Sequence, residues 1–155
     1  MHTVLLILII FIDQIVKTWI RCYPPGTTLY SCSPLFEIVH TVNTGAAFSL
    51  LHTNSLLVLI LSALLLFVVW VYATRFMRLT QFAKTALFCL LGGGIGNLID
   101  RLLYNSVTDY IRLLFIHFPV FNLADIAITL SVFVLMLLIM TGHLEEYGVN
   151  HGSDH

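Results

Sequence analysis

Four stretches of the chain are apolar over a length that suits a bilayer: residues 3–20, 55–74, about 80–99 and 120–141. A helix needs ~20 such residues to cross the hydrocarbon core. The second stretch carries no charge, whereas the other three each hold polar or ionisable groups, as they would if they faced one another. In the long connection at 21–54 the pattern changes. Tyr23-Pro24-Pro25-Gly26 is a turn signal. Residues 35–43 then alternate, with Phe36, Ile38, His40 and Val42 on one side and Glu37, Val39, Thr41 and Asn43 on the other. A period of two rich in β-branched residues predicts a strand, and with it a hairpin or small sheet at the membrane surface. Residues 45–51 fit a short interfacial helix leading into the second span. The expected fold is an all-α polytopic membrane protein forming one domain. It has four transmembrane helices, a small extracytoplasmic β element and that interfacial helix, with outer loops at 21–54 and 100–119, an inner loop at 75–79 and a tail at 142–155.

Composition supports the membrane assignment. Of 155 residues 59% are hydrophobic and 10% charged, with a mean hydropathy of +0.96, against ~25% charged in a soluble domain. A net charge of −1 and dispersed basic residues exclude a nucleic-acid stripe. Arg75, Arg78 and Lys84 flank the second inter-span connection with no acid among them, which places it in the cytoplasm together with both termini. No Lys or Arg precedes the first apolar run, and Asp13 and Lys17 interrupt it, so it is expected to be a retained span rather than a cleaved signal peptide. Cys22 and Cys32 share an outer loop, where a disulfide is permitted and not required. The seven histidines and three cysteines show no metal-ligand spacing.

Within this apolar frame the acids stand out. An ionisable group inside a span costs ~3 kcal/mol even on a lenient insertion scale, so Asp125 marks a candidate site. Asp100 lies ~24 Å along the third span at 1.5 Å per residue, Asp109 follows it in the outer loop, and Asp13 lies in the upper part of the first span. The predicted topology gathers all four near the outer leaflet. Asp13 and Lys17 have the i, i+4 spacing of a local ion pair, and Asn97 and Asp100 share a helix face. Asp100-Arg101 reads as a helix-end ion pair, and Asn122 as a cap for the fourth span. Gly92-Gly93-Gly94-Ile95-Gly96 is either a packing face or part of a site. Two carboxylates close together in low dielectric share a proton and can activate water against a peptide bond. A proton or ion pathway and a non-enzymatic membrane subunit remain the alternatives.

Five motifs occur in order: Asp13-Gln-Ile-Val-Lys17, Asn43-Thr-Gly-Ala-Ala-Phe48, Gly96-Asn97-Leu-Ile-Asp100-Arg101, Val107-Thr-Asp109-Tyr110 and Phe121-Asn122-Leu-Ala-Asp125. Together they resemble the bacterial lipoprotein signal peptidases, also called signal peptidase II. The resemblance implies an aspartic endopeptidase of the cytoplasmic membrane, with both termini cytoplasmic and its site near the outer face. It would cleave a prolipoprotein before a Cys that carries diacylglycerol, as a monomer among membrane lipids, with no cofactor and no metal. It implies Asp109 and Asp125 as the catalytic pair, with Asn43, Gly45, Asn97, Asp100, Arg101, Asn122, Asp13 and Lys17 in support. The family usually has Gly shortly before the first catalytic Asp, where this chain has Tyr104-Asn105-Ser106; Asn tolerates the left-handed backbone such a turn needs. Phe36 and Phe48 are candidates for a lid over substrate.

Overall fold

The computed structural model describes residues 1–45, 55–76 and 78–144. Among the described residues, four helices and three strands follow in the order α1 (His2–Arg21), β1 (Thr28–Cys32), β2 (Phe36–Asn43), α2 (Ser55–Phe76), α3 (Gln81–Tyr104), β3 (Val107–Leu113) and α4 (Leu123–Met140). Helices α1, α3 and α4 are each long and apolar enough to cross a membrane, and the apolar stretch of α2 at Leu56–Val71 is shorter. The expected interfacial helix at 45–51, Phe48 with it, lies outside the described residues apart from Gly45.

Helix α3 is central and packs against α1, α2 and α4. Its glycines explain how the backbones come so close. A Cβ on Gly93 would stand 2.6 Å from the Ala124 carbonyl oxygen, and one on Gly96 2.6 Å from Asp13 Oδ2. The glycine run therefore packs on all three neighbours, Gly92 against Leu6 and Ile9 of α1, Gly93 against α4 and Gly94 against Leu66 of α2, and at Gly96 it leaves room for a carboxylate.

Contacts along α3 give the helix directions. His2 meets Gln81, Thr85 and Phe88, while Arg21 meets Asp100 and Tyr104, so α1 and α3 run parallel. At one end of α4 the Leu144 carbonyl accepts from Thr80 N–H, and at the other Asp125 meets Asn97, so α4 runs antiparallel to α3. Residue 2, the α2–α3 connection and residue 144 thus share one end of the bundle. The sheet occupies the other.

The sheet is antiparallel in the order β1-β2-β3. Its third strand comes from the connection between α3 and α4, where no strand was expected: the first four of its seven residues are all buried, so it lacks the alternation that marked β2. Strand β2 matches the expected one, with a difference in its faces. Val39 and His40 are consecutive and both buried, because β2 carries a bulge opposite β3 between Ile38 and Thr41 and strict alternation fails there. Helix α3 continues past residue 99 to Tyr104, so Asp100 and Arg101 stand on the helix and not in the loop. Asn105 ends it at φ +55°, with its N–H on the Arg101 carbonyl, the left-handed turn that the sequence reading allowed Asn to make. Cys22 and Cys32 are free thiols.

Candidate active site

Strand β3 carries Asp109 and the first turn of α4 carries Asp125, and both line one cavity of about 470 Å³ together with Asn43, Phe118 and Phe121. The segment between them is held in place by backbone pairing: Phe121 exchanges hydrogen bonds with Ile111, and its carbonyl also accepts from Tyr110 N–H. The Tyr110 hydroxyl oxygen accepts from Leu123 N–H at 3.1 Å, which pins the start of α4 to β3. Burial pushes that phenol up to about 12.

Asn122 joins the two acids. Its side chain donates to Asp109 Oδ1 at 2.6 Å, its backbone N–H donates to Asp125 Oδ2 at 3.1 Å, and its side-chain oxygen accepts from Asp125 N–H at 2.9 Å. The last two bonds form a capping box, so the device that starts α4 also fixes the Asp125 carboxyl. Asp109 is 2% exposed. Its second oxygen accepts from Asn43 Nδ2 at 2.7 Å. Burial, with a smaller contribution from the Asp125 charge, outweighs these donors and lifts its carboxyl to about 6. Asn43 is a turn residue, its side-chain oxygen accepting from Gly45 N–H, and its amide also donates to Asp109. Gly45 sits at φ +100°, which suits glycine.

The other Asp125 oxygen accepts from Asn97 Nδ2 at 2.7 Å. Asn97, Asp125 and Arg101 line a second cavity of about 430 Å³ whose remaining wall is mostly apolar, including Leu65, Val69, Ile128 and Val132. Arg101 thus faces Asp125. The expected Asp100–Arg101 ion pair is replaced by another: Asp100 binds Arg21 Nη1 at 3.2 Å and lies 3.6 Å from Lys17 Nζ. Neighbours on a helix point in different directions, and α1 supplies cations on the face where Asp100 emerges.

Below the pair lies a buried ionic cluster. Lys17 binds Asp13 at 2.9 Å, both fully buried, in the i, i+4 geometry read from the sequence. Asp13 Oδ1 also accepts from Ala124 N–H, and Asp100 Oδ2 from Thr108 N–H, which ties α1 to α4 and α3 to β3. Gln14 and Arg21 belong to this cluster as well, and neither was a site candidate. Arg21 was visible in principle, because it follows Lys17 by one helical turn on the same face. Phe36, the describable half of the expected lid, is half-buried in the sheet with its ring 6.2 Å from that of Tyr30.

The family model described as Signal peptidase (SPase) II matches residues 5–141. A Lipoprotein signal peptidase of Thermosynechococcus vestitus is 38% identical over 129 residues, 80% of this chain and 81% of that protein. One of Bartonella henselae is 39% identical over 140 residues, covering 85% and 83%. One of Streptococcus thermophilus is 32% identical over 149 residues, covering 96% and 95%. A bacterial membrane enzyme solved by the in meso method superposes with a TM-score of 0.83 at 23% identity, over 99% of this chain and 93% of the other, a likeness of fold. Another, at 25% identity, gives 0.82 over 90% and 92%.

Proposed function

Since the chain belongs to the signal peptidase II family, and removes signal peptides from lipoproteins as that family does, we propose that it does so as an aspartic endopeptidase through Asp109 and Asp125. The observation that carries this reading is that Asn122 hydrogen-bonds both carboxyls while both line one cavity. Asp109, protonated up to about pH 6 by its burial, donates to the scissile carbonyl oxygen. Asp125, whose two oxygens already accept N–H donors, takes a proton from the attacking water. The tetrahedral intermediate then collapses as a proton passes to the leaving amine, and no covalent enzyme intermediate forms.

The substrate is a prolipoprotein whose Cys carries diacylglycerol, cleaved on the N-terminal side of that Cys. The largely apolar cavities on either side of Asp125 suit a substrate with a lipid and an apolar signal helix meeting at the scissile bond. The chain works in the bacterial cytoplasmic membrane as a single domain with four spans. Both termini are cytoplasmic and the sheet lies at the outer face. One chain suffices, because both acids belong to it. Asp109→Asn and Asp125→Asn should each reduce cleavage of lipidated substrate by at least about 10³-fold while the protein still inserts. Appreciable turnover in either variant refutes the catalytic pair.

A further inference from the structure

Asn97 stands between the acid pair and the buried ionic cluster, and the direction of its amide matters to both. Its Nδ2 donates to Asp125 Oδ1 at 2.7 Å. Its Oδ1 accepts from Lys17 Nζ at 2.8 Å and from Asn122 Nδ2 at 3.1 Å. An amide turned the other way would set its NH2 against the ammonium and its oxygen against the carboxylate, both repulsive in a dry site. Lys17 is fully buried. Its ammonium has three N–H groups and three acceptors around it, on Asp13, Asp100 and Asn97. Neutralising Asp13 would explain one of these contacts. The bond to Asn97 has a different consequence, since it fixes which end of the amide Asp125 meets.

We propose that Lys17 is a positioning residue for peptide hydrolysis, holding Asn97 so that its NH2 faces Asp125. This rests on the assignment of Asp125 to the catalytic pair. Lys17 does not line the cavity shared by Asp109 and Asp125 and reaches Asp125 through Asn97. Its charge also acts at a distance to lower the Asp109 carboxyl, an effect that would show as a moved pH profile rather than a lower kcat at the optimum. The alternative role, a counter-ion needed only to bury Asp13, makes different predictions once both charges are removed together. In Asp13→Asn/Lys17→Met the cluster loses one negative and one positive charge, and Asp100 keeps Arg21 and Thr108 N–H as partners.

The test is a mutant cycle on the full-length enzyme in detergent or liposomes, read as kcat and KM on a lipidated prolipoprotein peptide, with thermal unfolding as the control for folding. The Asp13→Asn/Lys17→Met variant should unfold within a few degrees of the wild type and keep KM within about threefold. Its kcat should fall by about tenfold or more, the scale on which small misplacements of catalytic groups act. In an Asn97→Ala background the same pair of substitutions should cost no further kcat, because the group through which Lys17 acts is gone. Wild-type kcat in Asp13→Asn/Lys17→Met, or losses that multiply independently across the two backgrounds, would overturn the proposal. Lys17→Leu in place of Lys17→Met gives a second replacement without a donor, to which the same criteria apply if the methionine variant does not insert. None of these outcomes bears on the acid pair, whose own refutation is activity in Asp109→Asn or Asp125→Asn.

Discussion

Asp109 has the most readable chemistry in the site, because its environment is asymmetric. Burial raises its carboxyl from an ordinary 3.8 to about 6, while N–H donors from Asn43 and Asn122 pull it down. A raised carboxyl keeps its proton below about pH 6 and loses it above. If Asp109 is the acid, the alkaline limb of kcat/KM reports that loss in the free enzyme. Removing a donor that favours the carboxylate must move the limb upward. Asn43→Ala should therefore shift the alkaline limb to higher pH, even though the variant is slower at its optimum; a downward shift would contradict the assigned role. Asn122→Ala removes a helix cap, worth about 0.5–2 kcal/mol, together with the bridge between the two acids. Its kcat should fall by about 10²-fold or more for a loss of stability small enough to leave the protein folded. Comparison of the activity loss with the thermal shift separates the two roles.

Among the elements, α3 decides whether the site assembles, since Asn97 and Asp100 sit on it and α1 and α4 bring their partners to it. Gly93→Ala would push a methyl group to within 2.6 Å of the Ala124 carbonyl oxygen, a backbone atom with little freedom to yield. Forced expansion of this kind costs about 1–3 kcal/mol, and here it separates Asn97 from Asp125. The variant should unfold at lower temperature and lose kcat, whereas alanine at Gly26, in the α1–β1 connection, where nothing lies within 4 Å but φ is +86°, should cost local backbone strain and leave kcat unchanged. Much of this was legible beforehand, because long apolar runs, i, i+4 spacing and the Asn-x-x-Asp cap are local patterns. Strand β3 was not, since a seven-residue strand pairing with a partner more than sixty positions away leaves no local period. The bulge in β2 and the turning of Asp100 towards Arg21 depend on tertiary contacts. The expected Asp100–Arg101 pair is absent for the same reason: consecutive helix residues point about 100° apart, and Asp100 turns to Arg21 of α1.

The molecule as a whole is inverted relative to a soluble domain. Ile7, Leu65 and Phe133 are more than half exposed, while Asp13, Lys17 and Asp100 have no exposure at all. Apolar side chains outside and charges within is the distribution that lipid demands, where every buried polar group must find an internal partner. This polarity has an axis. Arg78 lies at the end of the bundle shared with residue 144, and Asp109, Asp125 and the sheet lie at the other. If the basic connection stays in the cytoplasm, the acid pair opens towards the outer face, where a lipid-anchored cleavage site would emerge from the bilayer. Arg78 is exposed at one end, and Ile116, 47% exposed, lies in the loop after β3 at the other. In a variant lacking the native cysteines, a single Cys at position 116 should react with a membrane-impermeant maleimide in intact spheroplasts. A single Cys at position 78 should react only after permeabilisation. The reverse pattern would place the acids on the cytoplasmic side, where an exported prolipoprotein does not present its cleavage site, and would remove the topological basis of the proposed mechanism.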